Sequence, residues 1–321
     1  MQHVIGIDVS KLKLDICALF DGKMKKKIFD NNEIGFKQLQ GWISKLKLEN
    51  PHICMESNGC YSEGVADFFH NQNFLVSMVN PLQIKGFRSC RLVRQKTDSS
   101  DSEIIAMFCL QNNPAPYTPK TNEQRALHDI VLLMDSLKAE IMRLRNLLEK
   151  NQPAIVLQVI QESLEFHKKS LKTLELELHE IVRNNKELNE KFNLLTDITG
   201  VGDKTAIMLI SEMPDVSMFK NAAQYAAFTG VTPAHFQSGS SVRGRSHISK
   251  IGSKRLRNVL YMSALSVELH NVHFQNFVRK LLAKGKAQKV IIVAIMRKLM
   301  YIFFGMLKNL QKFNHNLAFH N

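Results

Sequence analysis

The stretch that decides the fold of the first part of the chain reads Val4-Ile5-Gly6-Ile7-Asp8. A continuous apolar run that ends on an acid is typical of a central strand buried on both faces. Further strand-like runs follow at residues 14–19, 53–55 and 75–79, with a helical apolar spacing at residues 35–46. Because strands alternate with helices in this order, the sequence predicts an α/β domain.

Four carboxylates occupy positions where such a domain would gather them, namely Asp8, Glu56, Asp98 and Asp101. The first two close strand candidates, and the last two are three residues apart, on one face of a predicted helix. Asp98 as an N-cap, Asp101 as a first-turn acid and Glu56 as an exposed strand end are the ordinary alternatives. Together, in the strand-strand-helix order of an RNase H-like fold, they favour a site for Mg²⁺ (two ions, with Mn²⁺ as a substitute).

The net charge of +14 is confined to the last quarter of the chain. Residues 238–321 hold fifteen Lys and Arg against the single acid Glu268. Segregated positive charge favours a polyanionic partner over a merely solvated surface, so we predict that DNA binds here. Basic residues before Asp98, a glycine turn and the C-terminal region supply the candidate nucleic-acid contacts: Arg88, Arg91, Arg94, Lys96, Gly200, Gly202, Lys204, Arg243, Arg245, Lys250, Lys254, Arg255 and Arg257.

The glycine turn at residues 199–203 has the layout of a helix-hairpin-helix motif, whose exposed amides can hold a phosphate. A plain turn between helices is an equally good interpretation, because short glycine patterns are weak evidence. Further on, a predicted loop over residues 229–244 carries three candidate nucleophiles among neighbouring cations, namely Ser238, Ser240 and Ser241. Their pattern does not choose among them, and hydroxyls that touch phosphate without reacting are the alternative; His247 is a candidate proton acceptor.

The middle of the chain is predicted to be helical. Apolar residues alternate steps of three and four from Leu127 to Leu148 and, after Pro153, from Leu157 to Ile181. These seams predict a coiled-coil hairpin that folds on itself or pairs with another subunit. We therefore divide the chain into residues 1–119, an α/β domain, residues 120–192, a helical spacer, and residues 193–321, a mostly helical domain.

The remaining composition bounds the compartment. Five scattered cysteines are expected to be buried thiols in a reducing environment. The apolar run from Val290 to Leu307 is interrupted by Arg297 and Lys298, so we expect a core helix and no membrane partner. No charged and apolar leader opens the chain, and a cytoplasmic, nucleoid-associated protein is expected.

The chain resembles the DEDD-type transposases and recombinases of insertion sequence family 110, which includes DNA invertases of the Piv type. The motifs that carry the resemblance span nearly the whole chain: residues 5–10 (Ile-Gly-Ile-Asp-Val-Ser), 55–57 (Met-Glu-Ser), 96–101 (Lys-Thr-Asp-Ser-Ser-Asp), 199–202 (Thr-Gly-Val-Gly), 228–233 (Phe-Thr-Gly-Val-Thr-Pro), 238–239 (Ser-Gly) and 248–252 (Ile-Ser-Lys-Ile-Gly), followed by Leu256-Arg257. Asn58 and Ser102 depart from the usual threonine and alanine, and neither is a proposed ligand.

The resemblance implies a RuvC-like domain whose four acids bind Mg²⁺ and a C-terminal transposase domain in which Ser238 forms a phosphoserine link to DNA. It also implies that the two halves form a composite site in a dimer or tetramer acting on the element's ends and a target. Several members of the family use a bridge RNA, so RNA is an implied partner. The alternatives are a metal-dependent Holliday-junction resolvase and a non-catalytic nucleic-acid-binding protein.

Overall fold

The computed structural model describes residues 3–91, 98–150, 152–234, 237–238, 242–243, 247–249 and 251–315. The chain divides into two compact units, Met1–Lys120 and Thr121–Asn321. The separate helical spacer over residues 120–192 stays a prediction.

The first unit is built on a five-stranded mixed sheet. Its strands are β1 (Val4–Val9), β2 (Lys13–Phe20), β3 (Lys23–Asp30), β4 (His52–Glu56) and β5 (Val76–Val79), in the spatial order β3-β2-β1-β4-β5. The first three strands pair antiparallel, whereas β4 and β5 run parallel to β1. β1 and β4 are apolar almost throughout because helices cover both faces of the sheet.

Four helices surround this sheet, namely α1 (Glu33–Lys45), α2 (Cys60–Asn71), α3 (Pro81–Cys90) and α4 (Asp98–Asn112). Side chains alternate across β1, so its odd-numbered residues join the core formed with α1 and α2, whereas Val4 joins the core formed with α4. The α/β prediction for this part of the chain is therefore confirmed.

The second unit is mostly helical. It contains α5 (Asn122–Leu148), α6 (Ala154–Asn184), α7 (Lys186–Thr196), α8 (Asp203–Glu212), α9 (Ala222–Phe228), α10 (Lys254–His270), α11 (Val272–Ala283) and α12 (Gln288–Asn309), with a 3₁₀ turn at Val216–Met218. α12 is long and apolar enough to cross a membrane by composition, but it packs in the core of the unit through residues such as Ile291, Ile295 and Phe303. This agrees with the predicted core helix.

The long helices α5 and α6 pack against each other. Near the connection between them, Ile141, Leu144, Ile160 and Leu164 form a small cluster of their own. At the other end, the apolar residues of both helices merge with the main core of the unit. The coiled coil itself is not confirmed, since only part of each seam lies between the two helices.

The segment predicted as a loop over residues 229–244 contains short strand pairs. β6 (Pro233–Ala234) pairs antiparallel with β9 (His247–Ile248), and β7 (Gln237–Ser238) pairs antiparallel with β8 (Val242–Arg243). The two pairs are nested along the chain, and we call residues 233–248 the serine arm. The loop prediction is wrong here because two-residue strands are too short to show an alternating pattern.

The five cysteines are free, as predicted, but not all are buried. Cys17, Cys54 and Cys109 lie inside the first unit, whereas Cys60 and Cys90 are exposed. Cys60 begins α2 and Cys90 ends α3, positions at which side chains reach solvent. The prediction of buried thiols is therefore wrong for these two residues.

Candidate active-site residues

Asp8 and Glu56 lie side by side at the carboxyl ends of two paired parallel strands. Ile7 of β1 is in register with Met55 of β4, so Asp8 and Glu56 are the next neighbours along the same ladder. Both side chains are half-buried, and both share the face of the sheet that α4 covers. Adjacent residues on paired strands project to the same face, so the register brings the two carboxylates together.

The helix α4 crosses this face in close contact with β1. A Cβ on Gly6 would lie 2.2 Å from the carbonyl oxygen of Ser102 and 2.4 Å from the amide nitrogen of Ala106. Only glycine lets the helix backbone approach the strand this closely. The motif glycine two residues before Asp8 therefore sets the distance between α4 and β1.

The C-terminal end of α4 shows in which direction the helix runs along β1. Cys109, near the C-terminal end of α4, packs in one buried cluster with Val4, at the start of β1, and with Cys54, which pairs in register with Gly6. Since residue 109 lies toward the start of β1, the first turn of α4 lies toward its end, at Asp8. Asp98 is the first residue of that turn, but its side chain lies outside the described part of the chain.

Asp101, in the same turn, forms an ion pair with Arg88 of α3. Each of the two side chains is only 17% exposed, so the pair is largely screened from water. A predicted metal ligand and a predicted phosphate contact are thus bound to each other in the ligand-free protein. For Asp101 to bind a cation, the guanidinium of Arg88 has to move away or share the carboxylate.

The donor set suits Mg²⁺ in kind, because it consists of carboxylate oxygens. Within the described residues, however, no three His, Cys, Asp or Glu side chains stand close enough together to hold an ion. Asp98 is not part of that comparison. The backbone thus brings Asp8, Glu56 and the start of α4 to one edge of the sheet, and a metal centre at this edge stays a prediction.

A fifth acid, Asp15, escaped the sequence analysis. It is in register with Asp8 on the neighbouring strand β2 and is only 5% exposed. The ammonium of Lys13 lies 3.1 Å from its carboxylate, which offsets the cost of burying a charge next to Asp8. Its position follows from a tight turn, in which the Ser10 hydroxyl accepts from the Lys13 amide and donates to the Lys13 carbonyl. Such a turn pairs residue 8 with residue 15.

The basic approach to α4 is only partly described. Arg91 stacks over the ring of Phe87 at 5.0 Å, while Arg94 and Lys96 lie outside the described residues. The Arg91 side chain is exposed to solvent. Its predicted contact with nucleic acid stays a prediction, as do those of Arg94 and Lys96.

In the second unit, Gly200 and Gly202 play different parts. Gly200 has φ +98°, and a Cβ there would lie 2.7 Å from the Cα of Val267, so packing against α10 requires glycine. Gly202 is the N-cap of α8 and has open space around it, and Lys204 in the first turn is exposed. The exposed end of this helix is therefore compatible with an anion, whereas Gly200 serves packing.

Next to this turn is a cavity of about 200 Å³ between α5, α6 and α8. Lys138 and Lys204 line it together with the acids Asp135, Glu175 and Asp203. Partial burial and the charge of Lys204 lower the pKa of Lys138. Because the acids outnumber the lysines, the cavity itself is a poor phosphate site.

Ser238 lies on β7, opposite Val242 of β8. The backbone of the serine arm is described at this point, but the side chains of Ser238 and Arg243 are not. Ser240, Ser241, Arg245 and Lys250 lie outside the described residues. His247, on β9, is exposed.

The cations at the start of α10 differ in their surroundings. Lys254 is exposed, as a phosphate contact would be. Arg255 forms an ion pair with Glu212 of α8, whose side chain is 5% exposed. Arg257 donates to two backbone carbonyls, at Thr229 and Gly252. Two of the three predicted DNA contacts on this helix therefore already have partners within the protein.

Known proteins match the chain over both of its halves. Residues 5–160 match a family model described as a transposase, and residues 192–279 match the model of the transposase IS116/IS110/IS902 family. The pilin gene-inverting proteins of Moraxella bovis and Moraxella lacunata are each 30% identical over 319 residues, which cover 98% of this chain and 98% of each relative.

A solved structure, T. thermophilus RuvC in complex with Holliday junction substrate, covers 36% of this chain and all of its own with 11% identity and a TM-score of 0.28. The assignment rests on the sequence relatives alone. The aligned region extends over almost the full length of both proteins, and the ranges of the two family models, 5–160 and 192–279, contain Asp8 and Ser238. The chain belongs to the IS110 family of transposases.

Proposed function

We propose that this protein is a DNA recombinase that cuts and rejoins the ends of an insertion element, with an RNase H-like domain for metal-dependent chemistry and a serine nucleophile on the serine arm. The observation that carries the proposal is the arrangement at the end of β1. Asp8 and Glu56 are ladder neighbours there, and the helix that begins with Asp98 points its first turn at them. The strand order and this edge of the sheet support an acidic site in the first unit.

In the proposed site, Asp8, Glu56, Asp98 and Asp101 hold Mg²⁺. When bound, the ion stabilises negative charge on the scissile phosphate and on the departing oxygen. The protein's own part is to fix the carboxylates: the sheet holds Asp8 and Glu56, and α4 holds Asp98 and Asp101. Arg88, which the structure pairs with Asp101, is free to bind the phosphodiester backbone once a cation takes its place.

Ser238 is the proposed nucleophile. Its hydroxyl oxygen attacks the scissile phosphorus, and the bond from phosphorus to the departing sugar oxygen breaks. The serine proton passes to a base, for which exposed His247 on β9 is a candidate, and the departing oxygen takes a proton from water. The products are a phosphoserine ester on one strand end and a free hydroxyl on the other, so bond energy is kept for rejoining.

The composite site is proposed to form in a dimer or tetramer, with α5 and α6 as assembly elements. Exposed apolar side chains on these helices, among them Met142, Val159 and Phe166, support this assignment, since the described part of the chain leaves them open to solvent. A bridge RNA is proposed as a further partner on the strength of the family alone. Its source would be non-coding DNA between the element end and the reading frame.

The test is a denaturing gel of the full-length protein with labelled DNA that carries the element ends, with and without RNA transcribed from the flanking region. We expect a labelled protein–DNA adduct that resists denaturation and requires Mg²⁺. Ser238→Ala removes the adduct, whereas the matched variants Ser240→Ala and Ser241→Ala keep it. An adduct that persists in Ser238→Ala but disappears in Ser240→Ala or Ser241→Ala moves the nucleophile to that serine.

The same protein–DNA mixtures, run on denaturing and on native gels, separate the alternatives. Metal-dependent nicks without an adduct indicate a Holliday-junction resolvase-like nuclease, and retardation on a native gel without nicks indicates a non-catalytic binding protein. The dependence of the adduct on added RNA decides whether guidance is part of the activity.

A further inference from the structure

The serine arm leaves and rejoins the helical part of its unit through two glycines in direct contact. Gly230 precedes β6 with φ +75°, and Gly252 follows β9 with φ +140°. A Cβ on Gly252 would lie 2.2 Å from the carbonyl oxygen of Phe228 and 2.8 Å from the amide nitrogen of Gly230. The backbone before the arm therefore touches the backbone after it, which only glycine permits at this distance.

Arg257 binds both ends of the arm at this crossing. Its Nη1 donates to the carbonyl oxygen of Thr229 at 3.2 Å and to that of Gly252 at 2.9 Å. A Cβ on Gly230 would lie 2.7 Å from the same nitrogen, so the guanidinium also packs on the first glycine. The half-buried side chain of Arg257 thus joins the segment that leads into the arm to the segment that leads out of it.

The start of α10, which carries Arg257, is itself anchored. The N-cap Ser253 donates from its hydroxyl to a carboxylate oxygen of Glu212 at 2.5 Å, and Arg255 pairs with the other oxygen. Glu212 ends α8 in the core of the second unit. A charge-assisted pair at a nearly buried carboxylate resists displacement by water, so the first turn of α10 is a firm base for the guanidinium.

From this geometry we infer that Arg257 is a positioning residue, which clamps the base of the serine arm and so sets where Ser238 is presented. The sequence suggested a DNA contact for this arginine, but its Nη1 already donates to two backbone carbonyls. The inference rests on the proposed function in one respect, namely that Ser238 is the nucleophile. Lys254, exposed and three residues earlier on the same helix, remains the phosphate contact.

The experiment compares Arg257→Met with the matched variant Lys254→Met in the full-length protein. Two quantities are measured on labelled element-end DNA: the dissociation constant over a series of salt concentrations, and the single-turnover rate of adduct formation at saturating protein. We expect Arg257→Met to slow adduct formation at least tenfold while affinity and its salt dependence stay at the wild-type values. Lys254→Met is expected to weaken binding and to reduce the salt slope by about 1.

Hydrogen exchange of the arm supplies a readout that does not need catalysis. In Arg257→Met, amides of residues 233–248 exchange faster while those of α8 and α12 keep their protection, which separates a released arm from an unfolded unit. Arg257→Lys, which retains a donor at this place, recovers part of the adduct rate.

Loss of affinity and of salt slope in Arg257→Met, with unchanged arm exchange, would overturn the clamp and make Arg257 a DNA contact. If the wild-type protein forms no adduct, the proposed nucleophile fails, and arm exchange in the variant still decides whether Arg257 clamps.

Discussion

The acidic edge of the sheet and the serine arm are built in opposite ways. Asp8 and Glu56 stand on central strands that are covered on both faces, and Gly6 lets α4 approach within contact distance. Ser238 stands on a two-residue strand, and the contacts that place its arm lie at the base, around Arg257. The carboxylates are thus held by a core before any ligand binds, whereas the proposed nucleophile depends on a few backbone hydrogen bonds.

The largest expected effect comes from the acidic edge. Asp8→Asn keeps the shape of the side chain and removes its charge, so we expect strand cleavage and adduct formation to fall by about a thousandfold or more, as when a metal or charge-stabilising group is lost. DNA affinity should stay within about twofold, because cations supply it. Cleavage is measured on denaturing gels and affinity by titration of labelled DNA.

Cleavage by Asp8→Asn at the wild-type rate would remove the metal-site hypothesis for this edge. A parallel loss of DNA affinity would instead mean that the substitution disturbs the fold. Asp21→Asn, at an exposed turn of the same unit, is the matched control and is expected to change neither quantity.

The second effect tests how closely the core holds this edge. Gly6→Ala pushes a methyl group to 2.2 Å from the carbonyl oxygen of Ser102, so the helix or strand must shift, at a cost of about 3 kcal/mol in the free energy of unfolding. Urea denaturation followed by fluorescence of Trp42, the single tryptophan, reports on the first unit.

Gly41→Ala is the control, because Gly41 lies on the exposed face of α1 with open space around it. Alanine in a helix should stabilise by up to about 1 kcal/mol. Equal midpoints for the two variants would mean that α4 is not in tight contact with β1.

These regions also differ in how far the sequence reveals them. The apolar run before Asp8 and the strand and helix patterns that alternate after it are strong local signals, and the α/β domain predicted from them is confirmed. Asp15 was missed because its importance comes from strand register, which depends on a turn at Ser10 and not on periodicity. Local patterns predict elements better than they predict neighbours across elements.

The arm shows the same limit more strongly. Two-residue strands carry no readable alternation, so the sequence predicted a loop where β6 to β9 pair. Arg255 and Arg257 looked alike in a basic run, yet one pairs with a nearly buried carboxylate and the other with backbone carbonyls. Charge density indicates a nucleic-acid partner, but it does not tell which cations reach it.

A third, smaller effect concerns the cation beside Asp8. Asp15→Asn removes a negative charge from the face that Asp8 shares and leaves the positive charge of Lys13 in place, so we expect Mn²⁺ to bind about tenfold more weakly. Calorimetric titration of Mn²⁺ into the protein measures this directly. The double variant Lys13→Met/Asp15→Asn removes the positive charge as well and should recover most of the affinity.

Recovery in the double variant distinguishes an electrostatic role of Asp15 from a structural one. If both substitutions damaged packing, their effects on Mn²⁺ affinity would add up and would not cancel. Unchanged Mn²⁺ affinity in Asp15→Asn would show that Lys13 exerts no influence on the ion. If the wild-type protein binds no Mn²⁺, the metal site itself fails.

The smallest effect lies in the second unit and tests whether acid weakens an ion pair of its helical scaffold. Partial burial raises the pKa of Asp215, but hydrogen bonds from Ser217 and the charge of Lys191 at 3.1 Å outweigh it, so the pKa lies below its usual value. A carboxyl group whose pKa is lower in the folded than in the unfolded protein stabilises the fold at pH values above its unfolded pKa, about 4. This contribution is lost as the pH falls through the folded pKa. Because the Asp215 side chain is 43% exposed and solvent screens its charge, Asp215→Asn should cost under about 1 kcal/mol at pH 7 and less at pH 3. Helical circular dichroism during urea unfolding at the two pH values measures the difference.

Asp129→Asn, at an exposed position on α5, is the control and should cost little stability at either pH. A cost for Asp215→Asn that does not shrink in acid would mean that the contribution of Asp215 is not ionic.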